Sequence, residues 1–170
     1  MKKPEDFLYD LFDKFAGFIL CVLVKPDMEI EKITDLSEDE IDELVKNDIK
    51  GLIVDVDETL RFNGEDISSE NEDWINMART KLKILILSNG MDIKLVDKFS
   101  EMGIDYIEFA LKPFKHNFKK ALNILNLKPE EVAVIGDDLF DDVHGGNRNN
   151  MFTIKVSGAK KLVKSNKSLR

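Results

Sequence analysis

A chain of 170 residues is long enough for one compact domain with a real core and too short for two. With 43% hydrophobic and 34% charged residues it has the balance of an ordinary soluble globular protein, and a net charge of −8 argues against nucleic acid as a partner, since such binders need a basic face. The lone cysteine, Cys21, excludes an internal disulfide and a cysteine metal site, which fits a reducing, cytoplasmic compartment.

The most apolar stretch, Phe15 to Val24, is too short to cross a bilayer as a helix. It follows Glu5, Asp6, Asp10 and Asp13 and precedes no small-residue cleavage site, so a secretory signal is not expected. Packing on the domain is the favoured reading. The other is a peripheral membrane contact through residues 7–24. Phe7, Leu8, Leu11, Phe12, Phe15 and Phe18 there fall at helical spacing, with Asp6, Asp10, Asp13 and Lys14 between them.

Ser37-Glu-Asp-Glu40 is a capping box, and Ile41, Leu44 and Val45 continue it as a helix ending near Asn47. Leu52-Ile-Val54 reads as a buried parallel strand leading to Asp55. Residues 68–80 read as a helix capped by Ser69, and Ile84–Leu87 as a second buried strand. A helix from Met91 to Met102 is stopped by Gly103. Tyr106–Phe109 is a third strand, followed by a helix from Asn117 to Leu125. Val132–Ile135 is a fourth strand, 139–144 a helix or helical turn, and Phe152–Val156 a fifth strand. This alternation implies an α/β three-layer sandwich with a mostly parallel, Rossmann-like sheet. The expected divisions are an apolar segment and helix over 1–48, a core over 49–157 and a basic tail over 158–170.

Ligands of open α/β sheets bind at the carboxyl ends of the strands, and four predicted strands end in polar clusters. These are Asp55-Val-Asp57-Glu-Thr59, Ser88-Asn89, Lys112-Pro113 a few residues past the third strand, and Gly136-Asp137-Asp138 with Asp141 and Asp142 beyond. A carboxylate can attack phosphorus, and clustered carboxylates call for a hard cation such as Mg²⁺. Ser88 can bind a phosphoryl oxygen, Lys112 can balance charge, and Asp57 can move a proton to or from the leaving group.

The motifs Asp55-Val-Asp57-Glu-Thr59, Ser88, Lys112 and Gly136-Asp137, in this order, resemble those of the haloacid dehalogenase-like superfamily. Lys25-Pro-Asp27, Lys112-Pro-Phe-Lys115 and Gly145-Gly-Asn-Arg148 bring the chain closer to its capless YqeG-type phosphatases of subclass IIIA. The resemblance implies a phosphate monoesterase working through an aspartyl-phosphate, with Asp55 as nucleophile and metal ligand and Asp57 as acid/base and carbonyl ligand. It implies Asp137 as a metal ligand, Ser88 and Asn89 at the phosphate, Lys112 at the intermediate, Thr59 propping the loop, and Asp138, Asp141 and Asp142 in support. The register favours Asp142 over Asp141 as the supporting acid. His116 and His144 are read as surface residues.

Only 28 residues separate Thr59 from Ser88, too few for a cap domain, so the site should be open or covered by a second subunit. Some capless relatives dephosphorylate phosphatidylglycerophosphate, which makes that lipid a candidate substrate. The alternative is a catalytically weak scaffold that keeps the fold for binding. A receiver domain shares the Asp, Ser and Lys-Pro elements, but its acidic metal pair precedes the phosphorylated Asp, whereas Asp137-Asp138 comes last here.

Overall fold

The run Leu52-Ile-Val54 is buried at every position because its strand lies mid-sheet with both faces covered. A computed structural model describes residues 24–158 of the chain. Cys21, the apolar segment up to residue 23 and the tail from 159 lie outside the described residues.

In chain order the elements are β1 (Met28–Ile30), α1 (Glu38–Lys46), β2 (Gly51–Val54), α2 (Ser69–Ala78), β3 (Lys83–Leu87), α3 (Ile93–Glu101) and β4 (Asp105–Ile107). They continue with α4 (Lys115–Leu125), β5 (Val132–Gly136), a π-helical turn (Leu139–His144) running into α5 (Gly145–Asn147), and β6 (Phe152–Val156). The six strands form one sheet in the order β1-β6-β5-β2-β3-β4. Every pairing is parallel, with Leu52 between Ile84 and Ala133.

Successive strand residues point to opposite faces, which sorts the core into two layers. Leu52, Val54, Ile84, Ile86, Ala133 and Ile135 pack under α1, α2 and α3 with Ile41, Trp74, Ile75 and Phe99. Ile53, Leu85, Leu87, Val132 and Val134 pack against Phe118, Ala121, Leu122 and Leu125 of α4. Fully burying one such side chain stabilises the fold by about 1.5–3 kcal/mol.

The capping box forms: Ser37 Oγ accepts from the Glu40 N–H and Glu40 Oε2 accepts from the Ser37 N–H. Gly103 takes up a φ of +69° just after α3, as its reading as a stop requires. Four boundaries differ from expectation. The cap of α2 is Ser68 rather than Ser69, its Oγ accepting from the Asn71 N–H at 3.2 Å. Helix α3 starts at Ile93 because the Asp92 carboxylate caps it. Strand β4 ends at Ile107, two residues early, and Phe109 turns to a φ of +48°. Helix α4 starts at Lys115, two residues earlier than expected. The sixth strand, β1, lies outside the five expected strands; it adds to β6 at the sheet edge with Met28 opposite Ile154.

With all strands parallel, Asp55, Ser88 and Asp137 all leave the sheet at its carboxyl edge. A loop and α2 fill the gap before β3, and α3 and β4 fill the next, so the described residues contain no inserted cap domain.

Candidate active site

Asp55 continues the ladder beyond β2, its N–H donating to the Ile135 carbonyl at 2.9 Å. Its carboxylate is therefore carried by the most buried part of the sheet. Lys112 reaches it from the β4–α4 loop, donating from Nζ to Asp55 Oδ1 at 2.5 Å and to Asp142 Oδ1 at 2.6 Å. Side-chain exposure is 3% at Lys112 and at Asp142 and 10% at Asp55. Asp142 is fixed from behind, its Oδ2 accepting from the Asp138 N–H at 3.1 Å.

The charges of this cluster explain one another. Burial alone would push the Lys112 ammonium down, but the Asp142 and Asp55 carboxylates outweigh it and hold the lysine above its ordinary range. Burial pushes the Asp142 carboxyl up to about 7 against the pull of Lys112. Asp55 is raised by burial too, again opposed by Lys112. Asp55, Asp137 and Asp142 each bring a carboxylate oxygen within 4.8 Å of the others. All the donors are hard oxygens, so the group fits a divalent cation of the Mg²⁺ type.

Asp57 lies on the exposed turn after β2. Its Oδ1 accepts from Arg61 Nε at 2.8 Å. A Cβ at Gly90 would lie 3.6 Å from both Asp57 Oδ2 and Ser88 Oγ, so both groups face the same turn. Ser88 Oγ accepts from the Gly90 N–H at 3.1 Å.

Asn89 ties two loops to its own. Its Oδ1 accepts from the Lys112 N–H at 2.7 Å and its Nδ2 donates to Asp141 Oδ2 at 2.8 Å. Asp142 meets Lys112, while Asp141 meets Asn89. Asp138 holds the π-helical turn, its Oδ1 accepting from the N–H groups of Phe140 and Asp141. Thr59 is fully buried, and its hydroxyl has no hydrogen-bond partner among the described residues. His116 is exposed and His144 stacks on Phe140 at 5.6 Å.

Sequence reasoning passed over Arg61 and Asp92. Arg61 stands four residues after Asp57, a spacing that signals an ion pair, but its second partner, Asp92, is distant in the chain.

This sheet and edge are those of the haloacid dehalogenase-like hydrolases. A family model described as HAD-hydrolase-like matches residues 110–167. "Probable phosphatase YqeG" of Bacillus subtilis is 35% identical over 134 residues, 77% of this chain and 76% of that protein. The chain belongs to the haloacid dehalogenase-like phosphatase family that includes it, among the phosphoric monoester hydrolases. Glyceraldehyde 3-phosphate phosphatase of Pyrococcus furiosus is 39% identical over 62 residues, 36% of this chain and 26% of that protein. The fold matches the crystal structure of 3-deoxy-D-manno-octulosonate 8-phosphate phosphatase from Yersinia pestis. That match has a TM-score of 0.53 and 21% identity, and covers 74% of this chain and 72% of that one.

Proposed function

We propose that the protein hydrolyses a phosphate monoester through an aspartyl-phosphate formed on Asp55, with Mg²⁺ as its cofactor. The observation that carries this reading is the Lys112 ammonium set between the buried carboxylates of Asp55 and Asp142 at the carboxyl edge of the sheet. Lys112 engages Asp55 Oδ1 and orients the carboxylate for attack on phosphorus. Ser88 Oγ donates to a phosphoryl oxygen, and Lys112 balances the charge that grows there. Asp57 gives a proton to the leaving oxygen and then takes one from the water that attacks the acyl phosphate. Asp55, Asp137 and the Asp57 carbonyl would hold the Mg²⁺, with Asp142 fixed on Lys112 beside them. Bound there, the ion supplies Lewis-acid neutralisation of the phosphoryl oxygens and of the acidic cluster.

The substrate reading is a lipid phosphate of the phosphatidylglycerophosphate type. Its support is the rim. Met91, Phe109, Leu111 and Phe114 on the loops after β3 and β4, Ile93 at the start of α3 and Phe140 on the π-helical turn are 47% to 67% exposed. Six large apolar side chains around a charged centre suit an ester whose leaving group carries an apolar body. Residues 7–24, of which only the buried Val24 is described, are a second proposed membrane contact. No helix of the described residues is long and apolar enough to cross a membrane.

The test is turnover against a panel of soluble phosphate esters and phosphatidylglycerophosphate in mixed micelles, with Mg²⁺ and after chelation. Mg²⁺-dependent hydrolysis with highest kcat/KM on the lipid supports the full reading. Hydrolysis of soluble esters only removes the lipid proposal. No turnover of any ester leaves the scaffold alternative in its place.

A further inference from the structure

Asp57 stands on an exposed turn, where a carboxylate free to rotate spends little time in any one geometry. Arg61 removes that freedom. Its Nε donates to Asp57 Oδ1 at 2.8 Å and its Nη1 donates to Asp92 Oδ2 at 2.6 Å. The Arg61 side chain is only 14% exposed and its bond to Asp92 is partly buried, so the guanidinium is held in place while Asp57, 51% exposed, stays open to solvent. Its backbone closes the same turn: the Arg61 N–H donates to the Val56 carbonyl at 3.0 Å, and the Arg61 carbonyl accepts from the Glu58 N–H at 2.7 Å.

The far end is fixed too. Asp92 caps α3, its Oδ1 accepting from the Lys94 N–H at 3.1 Å. Two charge-assisted hydrogen bonds thus run from the start of a helix to one oxygen of Asp57. The other oxygen, Oδ2, faces the Ser88–Gly90 turn. A guanidinium is a donor that does not deprotonate, so it holds Oδ1 without competing for the transferred proton.

We infer that Arg61, anchored by Asp92, is a positioning residue that clamps one oxygen of Asp57 and presents the other to the leaving group. The inference rests on the reading of Asp57 as the acid and base of phosphoryl transfer. In the first step the bond from Asp55 to phosphorus forms, the ester P–O bond breaks, and the proton on Asp57 Oδ2 passes to the leaving oxygen. In the second, water oxygen bonds to phosphorus and its proton passes to Asp57 Oδ2. The bond from Asp55 to phosphorus breaks, and Arg61 keeps Oδ1 throughout.

The experiment compares two esters by kcat/KM, which reports the phosphorylation step. A p-nitrophenolate leaves with little help from an acid, whereas the alkoxide of glycerol phosphate needs the proton. Arg61→Ala is expected to lower kcat/KM on glycerol phosphate about 100-fold and on p-nitrophenyl phosphate only severalfold, the lower end of what general-acid catalysis supplies. Arg61→Lys, which keeps the charge and loses the fork, restores only part of it. Asp92→Asn shows the same bias, more weakly. Should Arg61→Ala not fold, Arg61→Gln is read in the same way. An Arg61 variant that slows both esters equally, beside an Asp57→Asn variant that shows the bias, overturns the clamp and leaves Asp57 as the acid. An Asp57→Asn variant without the bias overturns the role of Asp57 and the clamp with it.

Discussion

A Cβ placed on Gly136 would lie 2.2 Å from the carboxyl carbon of Asp142. The last residue of β5 must be glycine because the acid that holds Lys112 lies directly on it. Gly136→Ala is therefore expected to push Asp142 off Lys112 and disorder the acidic cluster. The overlap should cost about 1–3 kcal/mol in a urea titration. A loss of kcat of about 100-fold or more is expected, in line with a catalytic group moved by about an ångström. Activity within twofold of wild type would show that Asp142 need not sit there.

Lys112 is the only positive charge in contact with the buried carboxylates among the hydrogen bonds and ion pairs described. Lys112→Met leaves Asp55 and Asp142 buried without their partner. Breaking a buried ion pair costs about 3–5 kcal/mol, so the urea midpoint should fall sharply when no divalent cation is present. Lys46→Met removes an ion pair whose members are 67% and 64% exposed, and should shift the midpoint little. Similar small shifts for both variants would contradict the account of the cluster.

The parts of this site that the sequence discloses are those carried by the sheet. Asp55, Ser88 and Gly136-Asp137 each end a run of apolar residues, so both their depth and their common edge follow from the strand pattern. What stayed hidden depends on contacts between distant loops. The register favours Asp142 over Asp141, but their partners are not legible there: the π-helical turn sends Asp142 to Lys112 and Asp141 to Asn89. Arg61 gains its meaning from Asp92, and β1 is too short to carry a pattern, becoming a strand through its pairing with β6.

Asp55, Asp137 and Asp142 gather carboxylate oxygens within 4.8 Å of one another, and such a group should gain from a divalent cation. Mg²⁺ is expected to raise the melting temperature of the wild type in a concentration-dependent way, as a ligand bound only to the folded state does. Asp137→Asn should weaken that response, and chelation should abolish turnover until Mg²⁺ is returned. Undiminished turnover after exhaustive chelation would contradict the metal assignment.

The capping box gives a pH-dependent prediction away from the site. Hydrogen bonds from the Ser37 side chain and backbone hold the Glu40 carboxyl below its ordinary range. A carboxyl whose folded pKa is depressed adds stability above its unfolded pKa and loses it as pH falls through the folded value. Ser37→Ala should cost about 1 kcal/mol at neutral pH, as the loss of an N-cap does. The difference from wild type should shrink in acid. An equal difference at both pH values would show that Glu40 takes no part.

The central claim is a covalent phosphoryl group on Asp55. The direct measurement is an acid quench of the working enzyme with radiolabelled phosphate ester, followed by peptide mapping. The account predicts label on the peptide containing Asp55, released by hydroxylamine as an acyl phosphate is, and absent from Asp55→Asn. Turnover without any covalent label, or label on another residue, would contradict it.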